Sequence, residues 1–220
     1  MLERLVGLLP ELGLALGQTL AMLGIGVAAA LLVGGPLGIL LFLAGASAAP
    51  RSRALAVLLG WTVNTVRSFP FIILLVALVP LTRLVVGTSI GPLAAAVPLS
   101  VAAIPYFARL VEQTLREVPR GVIEAAEAMG ASRLQVVTRV LLVEARSGLV
   151  LALTVLAISF LSYSAVAGVV GGGGIGDLAI RYGYYRFETD VMIFTVALLV
   201  ALVQAIQLGG GHLARRLDKR

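Results

Sequence analysis

This chain of 220 residues is 60% hydrophobic and 13% charged, well above the ~45–50% apolar usage of a soluble domain. Its net charge of +6 comes from 17 Lys and Arg against 11 Asp and Glu. It has no cysteine, which excludes disulfides, thiol catalysis and Cys-based metal sites.

A spanning helix needs about 20 mostly apolar residues. Charge-free runs occur at 12–50, 54–66 with 68–82, 84–108, 147–176 and 191–214. The expected fold is therefore an all-α polytopic membrane protein. Residues 1–11 read as a short interfacial segment, with Leu5, Leu8, Leu9 and Leu12 at helical spacing. No cleavable signal peptide is expected, because the start is not basic and the first apolar run far exceeds a signal core. The first span is placed at roughly 15–43, where Gly34-Gly35-Pro36 could end or kink it. An inner turn with Pro50 follows, and a second span covers roughly 56–81. Gly87 to Pro92 forms a tight outer connection. The third span, roughly 92–112, carries Pro98 and Pro105, prolines that membrane helices tolerate when neighbours satisfy the freed carbonyls. A fourth span at 147–169, an outer loop with glycines 171–174 and Tyr182, Tyr184 and Tyr185, and a fifth span at 189–211 complete one domain, 1–220. Five spans are expected, with six as the alternative. No acidic residue is expected inside a span.

Lysine and arginine bias sets orientation. One side receives four cations and the other twelve, among them Arg51, Arg53, the segment 109–146 and the C-terminal tail. The N-terminus is thus expected outside and the C-terminus in the cytoplasm. The basic residues flank spans and form no single patch, so nucleic acid is not an expected partner. His212, the one histidine, is expected to be an interfacial anchor, since a metal site needs several ligands.

Residues 109–146 are a charged island, holding six arginines and five glutamates. Pro119 suits the first turn of a helix, 120–129 are good helix formers, and Gly130 fits the position that ends one. Ser132 and Gln135 match a capping box for a second helix running through Leu142. The island should form a cytoplasmic elbow, 113–146. Val122, Ala126 and Met129 share one stripe; Glu124 and Glu127 mark another. Ala125 and Ala126 are small enough for another surface to approach. The acidic pair could accept hydrogen bonds from a partner's arginines. The alternative is an amphipathic loop lying on the membrane surface.

Inside the spans, Arg67 stands out. Fourteen residues separate it from Arg53, about 21 Å of helix. It either lies near mid-bilayer, bonded to carbonyls freed by Pro70, or sits at the inner surface with 54–66 along the interface. Ser159, Ser162, Tyr163 and Ser164 cluster in the fourth span, lining a pathway or bonding their own backbone. The glycine run lacks the Gly-Lys-Ser/Thr ending of a phosphate loop and reads as an external turn.

Glu124-Ala-Ala-x-x-x-Gly130 resembles the coupling motif of permease subunits in type I ABC importers. Leu142-Val-Glu-Ala-Arg-Ser-Gly148 follows it, with Val143 and Arg146 where that family usually has prolines. Three stretches are similar to one branch, the methionine permeases: Asn64-Thr-Val-Arg-Ser-Phe-Pro-Phe-Ile-Ile-Leu-Leu75, Pro80-Leu-Thr-Arg-Leu-Val-Val-Gly-Thr-Ser-Ile-Gly91 and Tyr163 to Gly176. Val166 stands where that branch often has methionine.

The resemblance implies a type I importer fold over roughly 13–210 in a bacterial inner membrane. It implies a homodimer with two cytoplasmic ATPase subunits, which carry ATP and magnesium, and an external substrate-binding lipoprotein. This chain itself would bind no cofactor and catalyse nothing. The cargo would be methionine, its D-form or a derivative; another amino acid is the alternative. Glu124, Ala125, Ala126, Glu127, Met129 and Gly130 would couple to the ATPase. Arg67, Ser68, Pro70, Ser159, Ser162, Tyr163, Ser164 and Val166 would line the path or gate. A stand-alone secondary transporter is the rival class, along with a membrane scaffold; a transporter's intramembrane ionisable residues normally carry the coupling ion.

Overall fold

The computed structural model describes residues 2–46 and 49–218, with side chains described from Gly7 onward. Leu5 of the expected leucine stripe, Ser47 and Ala48 of the first turn, and Lys219 and Arg220 of the tail lie outside these limits. All regular structure among the described residues is helical.

Helix α1, Leu2–Ala29, passes through a π-helical turn at Ala30–Gly34 straight into α2, Gly35–Ala46. Residues 2–11, expected as a separate interfacial segment, are continuous with the first span, and Gly34-Gly35-Pro36 does not end the helix. The reason lies across the bundle. A Cβ on Gly34 would stand 2.6 Å from the Ile104 carbonyl oxygen, and one on Gly38 2.5 Å from that of Ala108. These two glycines, four apart, let α2 lie directly on helix α6, Pro92–Arg116, as small residues do between membrane helices. Gly7–Ala46 has 40 residues, about 60 Å of helix, twice the ~30 Å hydrocarbon core. It must tilt or project beyond the bilayer.

The second expected span is broken. Helix α3, Pro50–Ser68, stops before Pro70, and α4, Phe71–Ala77, leaves at 99° to it. The residue before a proline is pushed out of helical geometry, and Phe69 is extended, with φ −73° and ψ 129°. A short α5, Val79–Val86, then ends at Gly87. Pro98 and Pro105, in contrast, leave α6 unbroken. Helix α10, Arg146–Ala167, and α12, Thr189–Leu217, complete the bundle. Among the described residues, four helices are long and apolar enough to cross a membrane, and the bent pair α3–α4 makes a fifth if counted as one span.

Helix α6 is the central element. Leu99, Ala103, Phe107, Val111 and Leu115 pack in one core with Met22 of α1 and Leu156 and Phe160 of α10. At one end of the bundle a second core joins Leu12 and Ala15 to Ile175, Leu178, Tyr182 and Val191. The glycine-rich stretch is therefore no simple external turn. After the stretch Gly168–Gly172, which is kinked at Val170 and Gly171 (φ +89°), it continues as α11, Gly174–Leu178, and a π-helical turn, Ala179–Tyr184. This hairpin folds back on α1: Gly174 N–H donates to Gln18 Oε1 at 2.8 Å and Ile175 N–H to Thr19 Oγ1 at 2.9 Å. The described chain starts at this glycine-rich end and finishes at the other, where Arg146 Nε donates to the Leu217 carbonyl at 2.8 Å.

Candidate functional site

Two sets of residues stand out, one at each level of the bundle. The first is the elbow between α6 and α10. Helix α7, Arg120–Ala128, begins one residue after Pro119, which is the N-cap and not a first-turn residue. Gly130 has φ +84°, a conformation that only glycine adopts without strain. Its N–H donates to the Glu127 carbonyl at 2.9 Å and that of Ala131 to the Ala126 carbonyl at 3.0 Å. This pair of bonds closes the helix end as a Schellman motif does. Ser132 and Gln135 then form a complete capping box around α8, Arg133–Gln135. The second arm continues through a π-helical turn at Val136–Leu141 into α9, Leu142–Glu144.

The elbow has two sides. Ala126, Val136, Leu141 and Ala145 are buried in the main core. Glu124, Ala125, Glu127, Met129 and Gly130 are exposed, with Met129 at 83% and Leu134 at 72%. The expected stripe thus divides: Met129 and Val122 face out, while Ala126 packs against its own chain and can act on a partner only by holding the others in place. Leu134 was not singled out from sequence, although it follows the capping serine.

Prolines are absent at 143 and 146, yet the elbow still breaks from α10, at the single residue Ala145 (φ −80°, ψ −4°). The side chains after the break supply what prolines would not. Arg146 binds the Leu217 carbonyl, and Ser147 Oγ donates to the Ala214 carbonyl at 3.0 Å. Both hold the end of α12 against the start of α10.

The second set surrounds the bend after α3. Arg67 is in the last turn of α3, exposed, with its guanidinium 5.6 Å over the Tyr106 ring. It does not serve the carbonyl that Pro70 releases; Val66 O already accepts from Phe69 N–H at 3.4 Å. Tyr106 and Ser159 lie near the midpoints of α6 and α10, with their hydroxyls 3.4 Å apart. Arg67 is therefore level with the middle of the bundle. Phe71 stacks on Tyr163 with ring centroids 4.8 Å apart and planes 5° apart. Phe160 meets Tyr163 and Tyr106 edge-on.

The two chain segments singled out from sequence are thus brought together, with Tyr106 as the piece between them. Other members of the set behave differently. Ser164 is buried and donates to the Leu161 carbonyl at 2.7 Å. Exposed Ser162 reaches back to the Ile158 carbonyl at 3.5 Å. Ser68 donates to the Asn64 carbonyl at 2.8 Å. Val166 is partly buried beside the core. Pro70 is exposed as the N-cap of α4, and His212 is exposed on α12.

The expectation of no acidic residue within a span needs correction. Glu112 is 3% exposed on α6, with Arg109 Nη1 at 2.5 Å and Arg116 Nη2 at 2.5 Å. Its signal was the spacing Arg109-x-x-Glu112-x-x-x-Arg116, which puts all three on one helix face. Glu11, on α1, accepts a hydrogen bond from the Tyr182 hydroxyl at 2.8 Å. That bond, followed by burial and the negative charge of Glu11, raises the Tyr182 pKa above its ordinary value; Arg186 and Arg181 oppose the rise.

A profile of the binding-protein-dependent transport system inner membrane component family matches residues 41–220. This chain belongs to that family. It is a bacterial inner-membrane permease component, not the ATP-hydrolysing subunit. A relative from Vibrio cholerae, described as a probable D-methionine transport system permease protein, is 47% identical over 92% of this chain and 90% of its own. A methionine import system permease protein of Bacillus subtilis is 39% identical over 82% of each chain. A solved inward-facing structure of the MetNI methionine ABC transporter is 42% identical, with a TM-score of 0.93 over 97% of this chain and 99% of that one. An amino acid ABC transporter solved with histidines shares the fold alone, at 19% identity and a TM-score of 0.77.

Proposed function

We propose that this chain is the permease subunit of an ATP-driven importer for methionine, in the L- or D-form. The observation that carries the reading is the likeness to methionine permeases over nearly the whole of both chains. The elbow end faces the cytoplasm and the N-terminus faces out, as the cation bias of twelve to four requires.

Two copies pair in the membrane. The exposure of Arg67, Ser68 and Ser162 in the single chain fits a path that a second copy closes. Each elbow docks on one cytoplasmic ATPase subunit, where ATP and magnesium bind. Glu124 and Glu127 accept hydrogen bonds from cationic side chains of that subunit. Ala125 allows close approach, and Met129 with Leu134 supplies an adaptable apolar contact. Ala126 and Gly130 hold the elbow in shape. An external binding protein delivers the cargo. ATP binding shifts the permease between outward- and inward-open states because the docked elbow favours each differently.

Along the path, Arg67 has one side on Tyr106 and the other free for the cargo's carboxylate. The Phe71–Tyr163 stack and Val166 offer a surface for a thioether, which is attracted to aromatic edges. Ser159 and Ser162 offer hydroxyls to the ammonium and carboxylate groups; Ser164 and Pro70 shape the helices behind them. A secondary transporter is disfavoured because its intramembrane ionisable residues normally carry the coupling ion, whereas both oxygens of Glu112, the buried carboxylate on α6, are already paired with Arg109 and Arg116.

The test is purification followed by reconstitution. The tagged chain, expressed with the neighbouring transport proteins of its host, should co-purify with an ATPase. In vesicles the complex should take up labelled methionine in preference to other amino acids when ATP is enclosed with the ATPase. Purification without an ATPase, or ATP-independent uptake, would overturn the reading. Preferential uptake of a different amino acid would overturn the methionine assignment alone.

A further inference from the structure

Helices α3 and α6 run antiparallel and carry two polar rungs between them. On α6, Tyr106, Arg109 and Glu112 repeat every three residues and so share a face. On α3, Asn64 and Arg67 do the same. The first rung is Arg67 over Tyr106, at 5.6 Å. The second is Arg109 Nη2 donating to Asn64 Oδ1 at 2.7 Å. The Arg109 guanidinium is held at both ends, because its Nη1 binds the buried Glu112, which Arg116 grips from the other side. Glu112 lies five residues before Glu117, where α6 gives way to the elbow. Asn64 lies three residues before Arg67, where the bend begins.

We propose that Glu112 is the positioning residue that makes α3 follow α6 when the elbow moves. This rests on the reading of the elbow as the ATPase-docking element. The chemistry favours such a role. A guanidinium is planar and its donors are fixed in a fork, so one nitrogen on Glu112 and another on Asn64 make a short rigid strut between two helices. Charge-assisted bonds of this kind are shorter and stronger than neutral ones. Glu112 is almost fully removed from water, so its carboxylate keeps both arginines. Arg109 is thereby prevented from turning into solvent, and Asn64 is held. Asn64 also accepts the Ser68 hydroxyl on its own carbonyl, which ties the same residue to the start of the bend. Movement of α6 thus reaches Arg67 through two rungs and not through apolar contact alone. Without Glu112, the elbow would still drive α6 and the ATPase would still turn over, but α3 would lag behind.

The experiment uses the whole complex with its binding protein in vesicles and measures both uptake and ATP hydrolysis. Glu112→Gln should keep ATP hydrolysis within about twofold while methionine transported per ATP falls at least about fivefold, the low end of typical coupling effects. Asn64→Leu leaves the ion pairs alone and should lower the same ratio. Asn64→Asp restores a charged acceptor for Arg109 and should return the ratio toward wild type in the Glu112→Gln background. A purely structural role predicts equal loss of uptake and hydrolysis, and no rescue. If Asn64→Leu keeps the wild-type ratio, or if uptake and hydrolysis fall together in both variants, the strut is wrong, even should Glu112→Gln fail to assemble. A wild-type chain that never engages an ATPase would instead refute the docking reading on which the proposal rests.

Discussion

The elbow and the bend after α3 are both places where a helix stops, and they stop by different means. At the elbow every step is local. Gly130 turns the chain, Ala131 and Gly130 N–H groups close α7, and Ser132 with Gln135 opens the next arm. At the bend no side chain caps either helix. Pro70 forbids continuation, and the resulting shape is held by neighbours: Tyr106 under Arg67, Tyr163 against Phe71, Arg109 on Asn64. A locally determined break makes a module that can be pushed as a unit. A break held by distant helices changes shape when those helices move. The first suits receiving force from a partner, and the second suits opening and closing a path.

The largest expected effect tests the local break. Proline fixes φ near −65°, so Gly130→Pro cannot adopt the +84° that the turn requires. ATP-dependent uptake should be abolished, with membrane insertion intact by fractionation. Glu124→Lys, on the exposed side, should do the same by repelling the ATPase surface, measured as loss of the co-purified ATPase. Normal uptake in both variants would remove the elbow from the coupling machinery. Next in size is Arg67→Ala at the bend. Uptake should fall about tenfold, equivalent to roughly 1.4 kcal/mol, and the basal ATPase rate should change. Wild-type values for both would place Arg67 outside the path.

The same contrast explains what could be read from the sequence. Gly130, Ser132 and Gln135 act on their own neighbours, so the elbow was legible from residue types and spacing. Pro70 was visible too, but not the 99° turn, because a membrane helix passes through a proline or breaks at it according to its surroundings; Pro98 and Pro105 lie in an unbroken helix. Gly34-Gly35-Pro36 looked like a stop and instead lies within one long helix, since Gly34 and Gly38 serve packing against α6. Tyr106 carried no local mark of its meeting with Arg67 and Ser159, which lie 39 and 53 positions away. Glu112 belonged to the charged island, just beyond the charge-free run 84–108. Only the arginines on both sides hinted that it could be buried with partners.

A smaller effect sharpens the local side of the comparison. Ser132→Ala removes the capping hydroxyl, a change that costs about 1 kcal/mol in typical helices. The turn at Gly130 and the buried underside of the elbow remain. Amide exchange at 134–136 should quicken, while uptake falls by less than about fivefold, the factor that corresponds to 1 kcal/mol. A complete loss of uptake would mean that the cap, and not the glycine turn, sets the shape of the elbow.

The smallest effect lies at the far end, where the glycine-rich hairpin is also held by distant partners. Tyr182→Phe loses the hydroxyl that donates to Glu11 and keeps the apolar packing of the ring. A net hydrogen bond is worth about 1 kcal/mol, or roughly 2–4 °C in Tm for a chain of this size. Because the Tyr182 pKa is raised in the folded protein, the folded state holds its proton more tightly than the unfolded one. The hydroxyl's contribution is therefore complete below the ordinary tyrosine pKa of about 10 and is lost as pH rises through the folded value. In nanodiscs the wild-type advantage over Tyr182→Phe should stay level from pH 7 to about 10 and shrink only above it. An advantage that already shrank between pH 7 and about 10 would contradict the raised Tyr182 pKa, and with it the hydrogen bond to Glu11 that is its largest cause.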